Sequence, residues 1–228
     1  MKVILVDDER LARLELRRLL AAHPEVEIVG EARSGEEALE VIPKLPSDAI
    51  FLDVQMPGMS GFDLLERLED LPQVIFTTAY DEYALKAFEV SALDYLLKPV
   101  APARLAEALR RVRPRALPGR LEQVFVRDGD RCWIVRLPDI FLLESEGNYT
   151  RVYFASERPL IRRSLNALEE QLDPAMFFRA GRKEIVNLKW IDKVDLSVAG
   201  GLAVTLRGGR TIEMSRRQSA RLREILSL

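Results

Sequence analysis

The chain has few of the residues that form covalent cross-links or metal centres with nitrogen and sulfur ligands. Its 228 residues include one cysteine, Cys132, and one histidine, His23. A single cysteine excludes an internal disulfide and gives no sign of an oxidising compartment. A single histidine excludes a metal site built on several imidazoles, as in the common zinc sites.

Long hydrophobic runs are also missing. No apolar stretch approaches the roughly 20 residues that a helix needs to cross a bilayer. The N-terminus leads at once into a predicted strand, so we expect no signal peptide. We therefore expect a cytoplasmic protein that has no membrane partner.

The two halves of the chain differ in charge. Residues 1–117 contain 15 Lys and Arg against 21 Asp and Glu, whereas residues 118–228 contain 19 against 15. An acidic half joined to a basic half is typical of a protein whose second domain binds nucleic acid. Drift of surface charge is the alternative explanation.

Polar side chains stand at the ends of four apolar runs in the first half. Residues 3–6, 49–52, 74–77 and 95–97 lead into Asp7-Asp8, Asp53, Thr78 and Lys98, respectively. Because the carboxyl ends of parallel strands meet at one crevice, we expect these five side chains to lie close together. Taken singly, each also has an ordinary role as a helix cap, a bonded strand end or a solvated charge.

A cluster of this composition points to a cation and to phosphate chemistry. Three carboxylates repel one another and need protons or a cation, and oxygen ligands without His or Cys suit Mg²⁺. A carboxylate is also a nucleophile that can form an acyl phosphate. Mg²⁺ and Lys98 would offset the charge of a transferring phosphoryl group, and Thr78 would donate a hydrogen bond to it.

Strands and helices alternate in the first half. Helical patterns begin after Asp8, near Ser34 and near Ser60, and two more run over Glu82–Val90 and over residues 102–112. Together with the four apolar runs and a further predicted strand at residues 26–30, they predict an α/β fold with a doubly wound, five-stranded parallel sheet. The Pro-rich residues 113–119 interrupt the pattern and indicate a linker.

The second half predicts a mostly antiparallel β domain with short helices. β-rich runs recur at residues 123–127, 131–136, 140–143, 150–154, 194–198 and 202–206. Turn residues such as Gly208-Gly209 separate them. Two helical segments, at residues 165–172 and 216–226, interrupt the strands.

The last helix offers an anion-binding surface. Arg216 and Arg217 occupy its first turn, where cations oppose the helix dipole. Because a helix N-terminus itself attracts anions, a phosphate or guanine contact is the natural use of this pair. Pairing with nearby acids is the alternative. A second basic cluster contains Arg179, Arg182 and Lys183.

Four motifs in the first half resemble the receiver domain of two-component response regulators. They are "ILVDDE", "FLDVQMPGMSGFDLL", "VIFTTAYDEYAL" and "DYLLKP", in this order within residues 1–113. The resemblance implies that Asp53 is the phosphoacceptor, that Asp8 binds Mg²⁺ directly and that Asp7 acts partly through water. It implies that Gln55 adds its backbone carbonyl to the metal.

The same resemblance implies a switch and two partners. Thr78 and Lys98 match the groups that sense the phosphate, and Tyr95 matches an aromatic that swings inward on activation. The Lys98-Pro99 peptide is expected to be cis. The phosphoryl donor would be a sensor histidine kinase, since His23 offers no plausible donor. Activation would favour a homodimer through the fourth helix, fifth strand and fifth helix.

Three motifs in the second half resemble the LytTR DNA-binding domain. They are "FLLESEGNYTRVYF", "FFRAGRKEIVNLKWI" and "IEMSRRQSARL". The resemblance implies that loops enter successive major grooves of double-stranded DNA and that Thr150, Arg182 and Arg217 contact bases. Four further loop residues are expected at phosphates, which supply affinity rather than sequence information: Asn148, Arg151, Lys183 and Arg216. Gly181 stands where that family often has a histidine.

The sequence thus predicts a receiver domain at residues 1–113, a linker at 114–120 and a LytTR-type DNA-binding domain at 121–228. We expect a transcription regulator rather than an enzyme, apart from the receiver's own phosphoryl transfer and dephosphorylation. An output domain that binds protein or RNA is the first alternative. A phosphate-ester hydrolase built on the carboxylate cluster is the second.

Overall fold

The structure is a computed structural model of the chain and describes residues 1–79, 93–114, 121–129, 131–197 and 200–226. It divides into two compact units, the N-terminal unit Met1–Ile134 and the C-terminal unit Val135–Leu228. The helix predicted at Glu82–Val90 and the linker residues 115–120 lie outside the described residues. Residues 121–134, which the sequence assigns to the second domain, group with the first unit.

A five-stranded parallel sheet forms the centre of the N-terminal unit. Its strands are β1 Lys2–Val6, β2 Glu27–Ala32, β3 Ala49–Asp53, β4 Gln73–Thr78 and β5 Asp94–Leu97. They lie in the order β2-β1-β3-β4-β5, and every pairing between them is parallel. This confirms the predicted doubly wound α/β sheet. All residues of β3 are buried, as expected for a central strand that is covered on both faces.

Helices cover both faces of this sheet. Those described are α1 Arg10–Leu20, α2 Gly35–Val41, α3 Gly61–Arg67 and α4 Pro102–Arg111. Ser34 caps α2 by accepting a hydrogen bond from Glu37 N, and Ser60 forms a reciprocal capping box with Asp63 at the start of α3. Two apolar clusters result, one under α2 and α3 and the other under α1 and α4.

A β-hairpin follows the predicted linker, and most of its residues belong to the N-terminal unit. Its strands are β6 Gln123–Asp128 and β7 Arg131–Arg136. Three of its side chains join the cluster under α2 and α3: Phe125, Cys132 and Ile134. Arg127 Nη1 donates to Asp63 Oδ1 at 2.8 Å, and Gln123 Nε2 donates to Pro72 O at 2.7 Å. These contacts explain why residues 121–134 group with the first unit.

The C-terminal unit contains two antiparallel sheets. The strands are β8 Ile140–Glu146, β9 Tyr149–Phe154, β10 Leu160–Ile161, β11 Phe177–Arg179, β12 Glu184–Asn187, β13 Ile191–Leu196, β14 Leu202–Leu206 and β15 Thr211–Glu213. One sheet has the order β10-β9-β8-β12-β11 and the other the order β13-β14-β15. Helices α5 Leu165–Glu169 and α6 Arg216–Leu226 complete the unit. The predicted antiparallel β domain with short helices is confirmed.

The sequence pattern misses four short strands of this unit, β10, β11, β12 and β15. Each has two to four residues, so none is long enough to show a clear alternation of its own. Pairing holds them in the sheets: β10 pairs with β9, β12 with β8, β11 with β12, and β15 with β14. Among the described residues, no helix has both the length and the apolar character needed to cross a bilayer.

Candidate functional site

The ends of the parallel strands bring an acidic cluster together. Asp7 and Asp8 follow β1, Asp53 ends β3, and Lys98 follows β5. One carboxylate oxygen from each of the three aspartates lies within 4.8 Å of those of the other two. Lys98 Nζ is 2.6 Å from Asp53 Oδ2 and 2.8 Å from Asp7 Oδ2. The side chains therefore meet at one edge of the sheet, as the positions of the strand ends predict.

Burial and charge act against each other in this cluster. The side chains of Asp7, Asp53 and Lys98 are 0%, 7% and 15% exposed. Burial raises the pKa of the Asp7 carboxyl and outweighs the opposing effect of Lys98. Burial also lowers the pKa of the Lys98 ammonium, but its hydrogen bonds to Asp53 and Asp7 more than reverse this, so that pKa is raised overall. The ammonium stays charged, whereas the Asp7 carboxylate is costly to keep ionised.

Backbone groups orient the two buried carboxylates. Glu9 N donates to Asp7 Oδ1 at 2.9 Å, and Gln55 N donates to Asp53 Oδ1 at 3.2 Å. Gly61, the first residue of α3, packs directly on the end of β3, since a Cβ there would lie 2.4 Å from Asp53 O. Only glycine allows this approach of helix to strand, so α3 touches the residue that carries the central carboxylate.

The donor set fits a hard divalent cation. Asp7, Asp8 and Asp53 offer only oxygen atoms, which are the ligands that Mg²⁺ prefers. Three carboxylates against one ammonium leave an excess of negative charge for a cation to offset. Gln55 reaches the cluster through its backbone amide, and the use of its carbonyl as a metal ligand stays a prediction.

Two of the three predicted switch residues, Thr78 and Tyr95, lie on neighbouring strands. Thr78 ends β4 and is fully buried, and its carbonyl oxygen accepts a hydrogen bond from Lys98 N at 2.8 Å. Tyr95, on β5, is half-buried and packs against the cluster under α2 and α3. The Lys98-Pro99 peptide is cis, as the receiver resemblance implies. The movement of Thr78 and Tyr95 on activation stays a prediction.

The first basic loop, between β8 and β9, differs from its predicted use. Asn148 is exposed in the turn, but Thr150 is fully buried, and its hydroxyl donates to Arg163 O at 2.7 Å. A buried hydroxyl that is already bonded does not reach a base edge, so the structure disagrees with the expected base contact of Thr150. Arg151 Nη2 donates to Glu146 Oε2 at 2.8 Å, so its charge is paired within the loop.

The other two basic sites project into solvent. Arg182 and Lys183 are exposed in the loop between β11 and β12, and Arg216 and Arg217 are exposed in the first turn of α6. Within the described part of the chain, none of the four pairs with an acid. The Arg216 guanidinium lies over the turn at Gly200, where a Cβ would be 3.1 Å from Nη2. The alternative of pairing with nearby acids is therefore not seen for Arg216 and Arg217.

Serine side chains fix the start of α6. Ser215 Oγ accepts a hydrogen bond from Gln218 N at 3.3 Å, as expected for an N-cap. The buried Ser219 Oγ donates to Ser215 O and accepts from Leu202 N, both at 2.8 Å. The first turn of α6, with its two arginines, is thereby tied to strand β14.

Comparison with known proteins matches two different families to the two halves of the chain. Residues 3–110 match the family described as "Response regulator receiver domain", and residues 130–227 match "LytTr DNA-binding domain". An uncharacterized response regulatory protein of Vibrio cholerae is 36% identical over 99% of this chain and 98% of its own length. The chain belongs to the LytTR response regulators.

Other relatives of the regulator carry related names. Sensory transduction protein LytT of Enterococcus faecalis is 34% identical over 100% of this chain and 100% of its own length. Transcriptional regulatory protein BtsR of Escherichia coli is 35% identical over 100% of this chain and 99% of its own. The solved response regulatory domain of mrkE from Klebsiella pneumoniae is 39% identical, with a TM-score of 0.45 over 49% of this chain and 94% of that chain.

The two family matches and the full-length relatives establish the class of the regulator. It joins a receiver domain to a LytTR DNA-binding domain and acts in two-component control of transcription. Both matched families describe a signalling or DNA-binding module rather than an enzyme. Such a regulator implies a phosphodonor kinase and DNA as partners.

Two features of the regulator are not predicted from its sequence. Gly61 carries a usable signal, because a glycine directly after the helix cap Ser60 is a poor helix former that needs another reason to be there. The contact of Arg127 with Asp63 carries none, since the two residues are separated by 64 positions and no local pattern links them.

Proposed function

We propose that the regulator accepts a phosphoryl group on Asp53 from a phosphohistidine of a partner sensor kinase. In this proposal, phosphorylation promotes a homodimer that binds a specific sequence in double-stranded DNA. The observation that carries it is the nearly buried Asp53 carboxylate, 2.6 Å from the Lys98 ammonium and beside two further acids where the strand ends converge.

The proposed transfer uses the carboxylate as a nucleophile. An Asp53 oxygen attacks the phosphorus of the phosphohistidine and forms an acyl phosphate, while the P–N bond breaks and its electron pair returns to the imidazole. Lys98 is close enough to offset charge on the oxygens of the transferred group. Mg²⁺ held by Asp8, Asp53 and the Gln55 carbonyl, with Asp7 acting through water, would supply further positive charge. Hydrolysis of the acyl phosphate would reset the site.

The proposed response starts at the two neighbouring strands. Thr78 and Lys98 move toward the phosphoryl oxygens, and Tyr95 fills the space that Thr78 leaves. The surface that includes β5 and α4 then favours a dimer, which places two DNA-binding domains on adjacent half-sites. Linking two binding events in this way raises the apparent affinity without any new contact. A shift of a few kcal/mol between two states is enough for this response.

The proposed DNA contacts follow the exposure of the basic residues. Arg182 and Arg217 are assigned to bases, and Asn148, Lys183 and Arg216 to phosphates. Arg151 can serve as a phosphate contact only if its pair with Glu146 opens. Thr150 is left out of the proposal because it is buried.

Labelling with a small phosphodonor tests the acceptor. Wild-type protein incubated with phosphoramidate and Mg²⁺ should gain one acid-stable, base-labile phosphoryl group, and Asp53→Asn should gain none. Asp139→Asn, which removes a carboxylate of the C-terminal unit, controls for the loss of one acid. Labelling of Asp53→Asn at the wild-type level would overturn the assignment.

Selection from a random duplex library, with and without phosphoramidate, tests the output. We expect a recovered consensus that binds more tightly to the phosphorylated protein and less tightly as salt rises. Failure to recover any duplex, together with binding of single-stranded RNA or of a protein, would favour a different output. Multiple turnover of a small phosphomonoester would instead indicate a hydrolase.

A further inference from the structure

The loop that carries Arg182 and Lys183 is held by its own backbone. It links β11 to β12, and Ala180 N and Gly181 N both donate to Glu184 O, at 3.0 and 3.2 Å. Lys183 O accepts from Ser145 N at 2.7 Å. A Cβ at Gly181 would lie 2.6 Å from Glu184 Oε2, so the Glu184 carboxylate lies against this glycine.

Arg179 holds the remaining two carbonyls of the loop. Its Nε donates to Gly181 O and its Nη2 donates to Arg182 O, both at 2.6 Å. With Lys183 O bound to the backbone, every carbonyl of residues 181–183 accepts a hydrogen bond from a named donor. The side chains of Arg182 and Lys183 are left to project outward.

The other end of the Arg179 guanidinium is anchored on α5. Nη1 donates to Glu169 Oε2 at 2.7 Å and to Asn166 Oδ1 at 3.1 Å. The Arg179 side chain is 15% exposed, and these four contacts use its planar set of donors. A cation that is covered, paired with an acid and bonded to loop carbonyls is poorly placed to contact DNA itself.

We propose that Arg179 is a positioning residue for DNA recognition, which clamps the loop between β11 and β12 so that Arg182 and Lys183 face the duplex. The inference rests on the proposed contacts of these two residues. Arginine is needed because its rigid fork reaches two carbonyls and a carboxylate at once, whereas the single ammonium of lysine keeps the charge without that geometry. Arg179 therefore acts on DNA only through the loop that it holds.

A comparison of variants in two backgrounds tests the clamp. The full chain is measured with a duplex recovered by selection and with a scrambled duplex of the same length. Arg179→Lys should weaken binding to the selected duplex by about tenfold or more, the range expected for loss of a specific contact. In a background that already carries Arg182→Ala and Lys183→Ala, Arg179→Lys should cause no further loss beyond about twofold, because residues that act through one another are not additive.

Control variants separate the clamp from a general loss of structure. Arg136→Lys removes an arginine that pairs with Asp139, and it should leave both affinities unchanged. Glu169→Ala removes a half-exposed anchor of the guanidinium. It should give a smaller loss than Arg179→Lys, and that loss should vanish in the loop background. If Arg179→Lys does not fold, Glu169→Ala provides the test of the clamp.

The outcomes separate a failure of the Arg179 clamp from a failure of the proposed DNA contacts of Arg182 and Lys183. If the loop variant Arg182→Ala with Lys183→Ala binds the selected duplex as well as wild type, the proposed contacts fail and the inference fails with them. If the loop variant is weakened while Arg179→Lys is not, only the clamp is overturned. Equal losses from Arg179→Lys in both backgrounds would make Arg179 a direct contact or a general support, which also overturns the clamp.

Discussion

Charged side chains are nearly buried at the acidic edge of the N-terminal unit but exposed in the basic loops of the C-terminal unit. Asp7 and Asp53 are nearly buried and share the Lys98 ammonium, whereas Arg182, Lys183 and Arg217 are exposed. A site for phosphoryl transfer needs low solvent access, because charges act more strongly there. A surface for a polyanion needs free cations that displace condensed counterions. Charged side chains thus serve two different functions, as nearly buried carboxylates at one site and as exposed cations at the other.

The two sites also differ in how they are held. The carboxylates follow buried strands and are oriented by backbone amides, so the sheet itself sets their positions. The basic loop between β11 and β12 is held by a side chain, Arg179, which reaches across to α5. We expect changes at the acidic edge to affect folding and changes at the basic loops to affect mainly binding.

The largest expected effect tests which of the two units the β6–β7 hairpin stabilises. Ile134→Ala should lower the free energy of unfolding of the N-terminal unit by about 2–5 kcal/mol, because it removes a buried side chain from the cluster under α2 and α3. Urea denaturation followed by Trp133 fluorescence, in a Trp190→Phe background, measures it. Arg127→Ala removes only an exposed ion pair and should cost about 0–1 kcal/mol. An unchanged unfolding transition of Ile134→Ala would contradict the assignment of the hairpin.

Two glycines give a direct contrast between the sites. Gly61→Ala should destabilise the N-terminal unit by about 1–3 kcal/mol, since the new Cβ would lie 2.4 Å from the backbone oxygen of Asp53. Gly181→Ala should change stability by no more than about 0.5 kcal/mol, because the Glu184 carboxylate that it meets is the end of a flexible side chain. Denaturant titration of both variants measures this, and similar losses would remove the contrast.

Neutralising one buried acid should stabilise the N-terminal unit when no divalent cation is present. The unfolded Asp7 carboxyl releases its proton near its ordinary pKa of 3.8, whereas the folded one, with a raised pKa, holds it to higher pH. The free energy of unfolding therefore falls as pH rises through that interval. Asp7→Asn should remove this fall and raise stability at pH 7 by about 0.5–2 kcal/mol.

Denaturation in EDTA from pH 3.5 to 7 measures this effect, and Asp139→Asn serves as an exposed control. A destabilised Asp7→Asn protein at pH 7 would show that the ionised carboxylate contributes more to folding than its burial costs. The same variant should bind Mg²⁺ more weakly. The substitution would then stabilise the fold while it weakens the proposed metal site.

The smallest expected effect concerns a single exposed cation. Lys183→Ala should weaken binding to selected and scrambled duplexes alike and reduce the slope of log affinity against log salt by about 1. Lys189→Ala, which removes an exposed lysine outside the proposed loops, should leave the slope unchanged. Equal slopes for wild type and Lys183→Ala would remove Lys183 from the phosphate contacts.

Sequence reasoning works well where local pattern and topology coincide. The apolar runs that end at Asp7, Asp53 and Lys98 predict both the parallel sheet and the meeting of these side chains, because the carboxyl ends of parallel strands share one edge. It works less well for the basic loops. Thr150 lies in a motif typical of DNA contacts, yet the fold buries its hydroxyl against Arg163 O, and strand alternation alone does not show which face is covered.

The sequence by itself determined the two domain families, the parallel sheet and the identity of the acidic cluster, since strand periodicity and short motifs are local properties. Only the tertiary structure decided that residues 121–134 pack with the first unit, that Gly61 touches Asp53, and that Arg179 binds the carbonyls of its own loop. The first two depend on packing between separate elements, and the third depends on the contacts that Glu169 and Asn166 of α5 make with the Arg179 guanidinium. Such contacts have no fixed spacing in the chain, so no local pattern records them.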